Sequence, residues 1–127
     1  MNTKDDSKRI VAVDEVNFES EVLRSEPPVL AAFLAPWSRP CQLMESVLDE
    51  VMTACMGTVK FVKINADNNP DLGIWYEIQS VPTLLYFVNG SLRARIVGTT
   101  SKKTILSRMQ LTLPLEPTSP ISKSKEK

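Results

Sequence analysis

Short apolar runs alternate along this chain with amphipathic stretches, and each pattern predicts a different secondary structure. The clearest run, 29–34, is Val-Leu-Ala-Ala-Phe-Leu between prolines at positions 28 and 36. An unbroken apolar run of this length is typical of a strand buried on both faces. The dipeptide Asn89-Gly90 separates two further runs and is a strong signal for a hairpin. The pattern predicts five strands, over 10–13, 29–34, 59–65, 83–88 and 92–97.

Helical spacing is clearest in the stretch that follows the second predicted strand. Apolar residues recur there every three or four positions between Arg39 and Cys55, which predicts an amphipathic helix. Gly57 predicts its end, since glycine is favoured just after a helical C-terminus. Three shorter helices are predicted: one after an N-cap at Asp14, one over 67–76 and one from Ser101 to Met109.

The order of these elements indicates an α/β domain. Strands and helices alternate until the last two strands, which are joined directly, and this order requires a mixed five-stranded sheet with helices on both faces. We predict a flexible segment over 1–9, one domain over 10–113 and a disordered tail over 114–127. The tail prediction rests on prolines at positions 114, 117 and 120 and on three alternating lysines.

Composition narrows the classes of function. The 127 residues are 43% hydrophobic and 24% charged, and 15 basic residues balance 15 acidic ones, so neither nucleic acid nor a membrane is a favoured partner. The polar N-terminus does not resemble a secretory signal, and we predict a cytoplasmic protein. The chain has no histidine and no glycine-rich phosphate loop, so we predict no metal site and no cofactor.

A short motif at the junction of the second strand and the second helix carries the strongest functional signal. It reads Pro36-Trp37-Ser38-Arg39-Pro40-Cys41, and with the element order it resembles the thioredoxin family from about residue 10 to residue 113. Further landmarks of the resemblance are Phe33, Ala35, Asn65-Ala66-Asp67, Asn69-Pro70, Val81-Pro82-Thr83, Asn89-Gly90 and Val97-Gly98.

The resemblance implies a thioredoxin fold, a cis peptide bond between Val81 and Pro82, and a shallow groove that holds an extended peptide. Such a peptide pairs with the backbone beside the proline, in the manner of strand addition. The expected binding residues are Trp37, Arg39, Pro40, Val81, Pro82 and Gly98. As alternatives, Trp37 and Pro82 only maintain the loop, Arg39 is a solvated surface residue, and Pro40 serves the first helical turn.

Two departures from the thioredoxin pattern affect catalysis. Thioredoxins carry two cysteines in this motif, and the first attacks a disulfide while the second resolves the mixed disulfide. Here Ser38 occupies the attacking position, and Ala32 occupies the position of a buried aspartate whose lysine neighbour persists as Lys63. Because both positions differ, we interpret the change as natural rather than as an engineered knockout. Ser38 is expected to cap the helix through the amide of Cys41, or alternatively to bond a thiolate or a bound peptide.

The two cysteines of the chain are expected to remain separate. If Cys41 and Cys55 lie on one helix, their Cα atoms are about 21 Å apart, which is too far for a disulfide. Cys55 is interpreted as a core residue, with a redox-sensing thiol as the alternative. For Cys41, a neighbouring cation favours the thiolate and burial disfavours it, so inert and reactive states both stay open.

These features predict a thioredoxin-like protein that has lost the dithiol cycle and retains a groove for a protein or an extended peptide segment. The alternative function is a monothiol oxidoreductase that acts through Cys41 with glutathione or another external thiol. A third possibility is a structural subunit whose contacts use Trp75 or the C-terminal tail, although Trp75 could equally be a core residue. We predict a monomer.

Overall fold

The computed structural model of this chain describes residues 10–110. Its strands are β1 (Ile10–Ala12), β2 (Val29–Leu34), β3 (Lys60–Asn65), β4 (Thr83–Val88) and β5 (Ser91–Val97). Its helices are α1 (Arg39–Cys55), α2 (Pro70–Trp75) and α3 (Lys102–Gln110), and a five-residue π-helical turn covers Glu19–Leu23. The predictions for 1–9 and 114–127 lie outside the described residues.

The strands form one mixed sheet in the order β1-β3-β2-β4-β5. β3 pairs in parallel with both β1 and β2, whereas β4 runs antiparallel to β2 and β5 antiparallel to β4. Parallel neighbours need crossover connections, and the π-helical turn and α1 supply them on opposite faces of the sheet. The predicted fold class, a five-stranded mixed sheet with helices on both faces, is confirmed.

Apolar cores lie on both faces of the sheet because β2 and β4 are buried along their whole length. The first core, between the sheet and helices α1 and α3, contains Leu30, Ala32, Cys41, Met44, Leu48, Tyr86 and Ile105. The second core, on the opposite face, contains Phe18, Val22, Phe33, Ile64, Leu72 and Phe87. The unbroken apolar run of β2 therefore supplies side chains to both cores, as its sequence predicted.

The hairpin between β4 and β5 depends on its glycine. Asn89 and Gly90 have φ of +52° and +80°, the left-handed conformations that the predicted tight turn requires. A Cβ atom on Gly90 would lie 2.8 Å from the carbonyl oxygen of Leu23. Both the backbone conformation and this close approach therefore favour glycine.

Two predicted helices are shorter in the structure. After Asp14, the carboxylate oxygen Oδ1 accepts hydrogen bonds from the amides of Val16 and Asn17 at 2.9 and 3.1 Å, so Asp14 holds a turn and caps no helix. The predicted helix is reduced to the later π-helical turn, since such side-chain bonds compete with helical ones. The helix predicted over 67–76 starts only at Pro70, because Asn65 Oδ1 accepts from the amides that follow it.

The fold brings three loops together at one end of the sheet. In the strand register, Phe33 of β2 pairs with Thr83 of β4, which pairs with Val97 of β5. The segment after β2, the segment before β4 and the segment after β5 therefore lie side by side at this end. These three loops contain the motif 36–41, the dipeptide Val81-Pro82 and Gly98.

Candidate functional site

Ser38 is the N-cap of α1, the longest helix in the described part of the chain. Its backbone is extended, at φ −85° and ψ 122°, and its Oγ accepts a hydrogen bond from the amide of Cys41 at 3.3 Å. This contact satisfies one of the free amides at the helix start and confirms the predicted cap. Pro40 lies in the first turn, where its missing N–H costs little. The Ser38 side chain is buried and its oxygen is directed at the helix itself.

Cys41 is closed off from solvent within the first core. It is 1% exposed, and its Sγ accepts a hydrogen bond from the amide of Ala35 at 3.3 Å. The apolar cluster around it includes Ala32 and the half-buried Val81. A thiol in this position is reached by a disulfide only if the surrounding loop opens, so the structure favours the inert interpretation of Cys41.

Ala32 lies on β2 in the same apolar cluster as Cys41, so this strand provides no carboxylate near the thiol. It is buried, and its backbone pairs with Lys63 on one side and with Leu84 on the other. Lys63 itself is exposed on β3 and forms no ion pair in the described range 10–110. The pairing of lysine with aspartate expected in thioredoxins is therefore replaced by a lysine beside a methyl group.

Cys55 lies at the other end of α1 and remains a free thiol, as does Cys41. Their separation along one helix, about 21 Å, excludes an internal disulfide as predicted. Cys55 is half-buried against the first core, and burial raises the pKa of its thiol. A raised pKa leaves less thiolate at neutral pH, which supports the core interpretation over a redox-sensing one.

The groove residues gather beside the start of α1. The bond between Val81 and Pro82 is cis, and the amide of Gly98 donates to the carbonyl of Pro82 at 2.8 Å. Gly98 has a φ of +88° and no atom within 4 Å of the place a Cβ would occupy, so the surface beside it is open. Between residues 10 and 110, the backbone of Val81 has no hydrogen-bond partner. Its amide and carbonyl are thus free to pair with an added strand.

Trp37 both maintains the loop and presents an apolar surface. Its indole N–H donates to Asp67 Oδ2 at 2.7 Å, while 70% of the residue is exposed. Gln42 Nε2 also donates to the carbonyl of Pro36 at 3.0 Å, which ties the loop to α1. Arg39 is exposed beside Trp37 and forms no ion pair within the described residues. The two alternatives proposed for Trp37 are therefore compatible.

Trp75 is a surface residue rather than part of the core. It is 66% exposed at the end of α2, and the adjacent Ile74 is 71% exposed. The exposure of Ile74 has no signal in the sequence, because one apolar residue on a short helix resembles a core position. The bonds from Trp37 to Asp67 and from Ala35 to Cys41 were also missed, since contacts between distant residues leave no local signal.

The fold and the position of this site define a protein of the thioredoxin-fold class. The family model described as Thioredoxin matches residues 9–111, and the chain belongs to the thioredoxin family. Across residues 10–110, no helix is long and apolar enough to cross a membrane.

Curated relatives agree with this assignment. The chain is 41% identical over 96 residues to "Thioredoxin M5, chloroplastic" of Oryza sativa subsp. japonica, which covers 76% of this chain and 56% of that protein. It is 39% identical over 101 residues to "Thioredoxin" of Griffithsia pacifica, covering 80% and 93%. It is 41% identical over 98 residues to "Thioredoxin" of Synechocystis sp., covering 77% and 92%. The chain thus spans about half the length of the rice relative and most of the other two.

Proposed function

We propose that this member of the thioredoxin family does not run the dithiol cycle and acts through its peptide groove. The observation that carries the proposal is the capping bond of Ser38. At the position where thioredoxins hold the attacking thiol, the chain has a hydroxyl whose oxygen accepts the amide of Cys41. The protein is then a binding module or a regulatory relative of the redox-active thioredoxins.

The chemistry of the cycle explains why Ser38 ends it. A first thiolate attacks a substrate disulfide, forms a mixed disulfide and releases one substrate thiol. A second thiol then attacks the mixed disulfide, releases the other substrate thiol and leaves a disulfide in the protein. The two electrons come from the pair of protein thiols. Ser38 cannot form the mixed disulfide, and Cys55 is too far from Cys41 to complete a pair.

The groove supports binding of an extended peptide segment. The unpaired backbone of Val81 provides a donor and an acceptor for strand addition, and Pro82 and Gly98 form the floor beside it. Trp37 contributes an exposed aromatic ring, the side-chain type that anchors many interfaces. Arg39 and Pro40, both exposed at the start of α1, complete the set of proposed binding residues.

Monothiol exchange through Cys41 is the competing function. In that reaction the Cys41 thiolate attacks the mixed disulfide between glutathione and a substrate protein, forms a disulfide with the glutathione and releases the substrate thiolate. A second glutathione then attacks this disulfide, regenerates the Cys41 thiol and leaves as glutathione disulfide. The bond from the Ala35 amide to Sγ shows that the sulfur has a polar partner within the site. Burial of the same atom opposes access, and the binding function is preferred for this reason.

The proposal includes a monomer that works in the cytoplasm. The rice relative carries a chloroplast location in its name, and the Synechocystis relative carries no location. Expression of the full chain with a fluorescent C-terminal tag, followed by imaging with organelle markers, tests the location.

A paired assay tests the function itself. The full chain and its Cys41→Ala variant are compared in reduction of insulin disulfides by dithiothreitol and in binding of an extended peptide by fluorescence anisotropy. We expect no acceleration of insulin reduction by either protein and equal peptide affinity for both. Acceleration by the parent chain that is lost in Cys41→Ala would contradict the proposal and establish the monothiol function.

A further inference from the structure

An exposed apolar surface on α2 is unexplained by the proposed function. The apolar surface consists of Ile74 and Trp75. Together with three acidic residues of the same segment, Asp67, Asp71 and Glu77, it is called the α2 platform. Ile74 and Trp75 are neighbours in sequence that both face solvent at the end of a six-residue helix. Exposed tryptophan and isoleucine side chains that lie together are typical of a binding surface.

A hollow lies beside Ile74 on the α2 platform. Its volume is about 370 Å³, and Ala66, Ile74, Ile78 and Glu77 are among its lining residues. Ala66 is next in sequence to Asp67, whose carboxylate holds the indole of Trp37. The hollow is therefore lined by the sequence neighbour of the residue that anchors Trp37, and Glu77 lies on its rim.

The stretch of sequence that contains the α2 platform carries charges of one sign. Between Lys63 and Arg93 the sequence contains no lysine or arginine and three acids, which are Asp67, Asp71 and Glu77. Among residues 10–110, none of these acids forms an ion pair. By contrast, the segment 91–110 has five basic residues and no acid. The platform thus carries three carboxylates that form no ion pair within residues 10–110, on a protein of zero net charge.

The positions of the acids relative to the apolar residues are suited to a cation. Asp71 and Trp75 are four residues apart on one helix, a spacing that places side chains next to each other. A cation over the indole is attracted by both the ring face and the neighbouring carboxylate. Arg39 lies on α1, whose buried residues belong to the core on the other face of the sheet.

Glu77 occupies its place at a conformational cost. Its φ is +55°, in the left-handed region that favours glycine and disfavours a glutamate. A glycine there would have a more relaxed backbone, and it would lack the carboxylate on the rim of the hollow. A strained residue whose charge lies in a binding surface indicates that the charge has a use.

We propose that the α2 platform selects extended protein segments in which a lysine or arginine lies close to an aliphatic residue. The aliphatic side chain occupies the hollow, and the basic side chain lies against Trp75 between Asp71 and Glu77. This inference rests on the proposed function, because the platform acts on a peptide that the groove holds. It goes further by naming the chemical class of the partner.

Three fluorescein-labelled peptides test the inference with the full chain. They share one valine- and alanine-rich core and differ only at the flanking positions, which are lysine, serine or glutamate. We expect the lysine peptide to bind about threefold to tenfold more tightly than the serine peptide, and the glutamate peptide to bind most weakly. The preference should shrink as salt is raised, since exposed charges are screened.

Glu77→Gly separates a binding role of Glu77 from a structural one. We expect this variant to be at least as resistant to urea as the parent and to lose about threefold in affinity for the lysine peptide alone. The matched control is Glu50→Gln, which removes one exposed acid from α1 and should leave all three affinities unchanged. Trp75→Ala, which also removes an exposed side chain, should weaken the lysine peptide more than the serine peptide.

The possible outcomes distinguish this inference from the proposed function. Equal binding of the three peptides overturns the charge selection and leaves the groove function standing. Absence of binding by all three peptides up to about millimolar concentration overturns both. A salt-sensitive dimer of the chain alone that blocks the peptides would assign the platform to the basic segment 91–110 of a second copy, and this too overturns the inference.

Discussion

The start of α1 and the end of α2 differ in how their polar and apolar groups are placed. At the start of α1, Ser38 and Cys41 are buried, and each accepts a hydrogen bond from the backbone. At the end of α2, Ile74 and Trp75 face solvent next to carboxylates without ion pairs in the range 10–110. The position that catalyses in thioredoxins has its polar groups bonded within the chain, whereas the end of α2 exposes two large apolar side chains to solvent. This contrast is why we assign the function to binding.

The largest expected effect comes from restoring the two-thiol chemistry at the start of α1. Ser38→Cys introduces the attacking thiol at the start of a long helix, where thiolates are favoured, and Ala32→Asp returns the buried acid. We expect the double variant to reduce insulin disulfides at a rate about a hundredfold above that of the parent chain. Turbidity of precipitating insulin B chain measures it.

Ser38→Cys alone provides a second measurement, because a carboxyl group buried at position 32 can cost about 1 to 3 kcal/mol and unfold the double variant. We expect the single variant to form an internal disulfide between positions 38 and 41, visible by mass spectrometry. If both variants fold and neither reduces insulin, the start of α1 differs from a thioredoxin site in more than these two residues.

The next effect concerns access to the two native thiols. We expect Cys41 in the folded chain to react with iodoacetamide about a hundredfold more slowly than in the urea-unfolded chain, because the loop must open first. Cys55 should react sooner, and only as the pH is raised, since burial raises the pKa of this half-buried thiol. Peptide mass spectrometry of quenched samples measures both rates. Fast reaction of Cys41 near neutral pH would make the monothiol function the better one.

A smaller effect is expected from removing the cap. Ser38→Ala deletes the oxygen that accepts the Cys41 amide and should lower the free energy of unfolding by about 1 kcal/mol. Ser46→Ala is the matched control, because Ser46 is exposed in the interior of α1, where alanine is the better helix former. Urea unfolding followed by circular dichroism compares the two. Equal stability of Ser38→Ala and the parent would show that the hydroxyl is not needed as a cap and leave it for another role.

Much of the fold was predictable because the strands are strongly patterned. The strand 29–34 lies between two prolines and has matching bounds in the structure, and Asn89-Gly90 forms the expected hairpin turn. Predictions failed where side chains compete with helical hydrogen bonds, as at Asp14. In the site, the Ser38 cap is a local contact and could be predicted. The exposure of Trp75 depends on how α2 packs against the second core, and no local pattern encodes that.

The smallest expected effect tests whether every buried polar group in the core around Cys41 has a hydrogen-bond partner. Tyr86 lies in the same core as Cys41, and within residues 10–110 its hydroxyl is the buried side-chain oxygen without a hydrogen-bond partner. Burial, with a smaller contribution from Cys55, raises the pKa of Tyr86 to about 12. Tyr86→Phe removes this hydroxyl, and we expect it to raise the free energy of unfolding by up to about 1 kcal/mol.

The pH dependence gives this last variant a signature that general repacking would not produce. The folded chain retains the phenol proton to higher pH than the unfolded chain, so the stability associated with it is complete below about pH 10 and is lost as the pH rises towards about 12. Urea midpoints measured across this range should therefore fall less steeply for Tyr86→Phe than for the parent. Tyr76→Phe is the comparison variant, because it removes the hydroxyl of a tyrosine that is only half-buried. Burial also raises the pKa of Tyr76, so the two variants are compared by how much each changes the slope. An unchanged slope in Tyr86→Phe would mean that water or a neighbouring group reaches the hydroxyl, and that the interior behind α1 is less closed than its first turn.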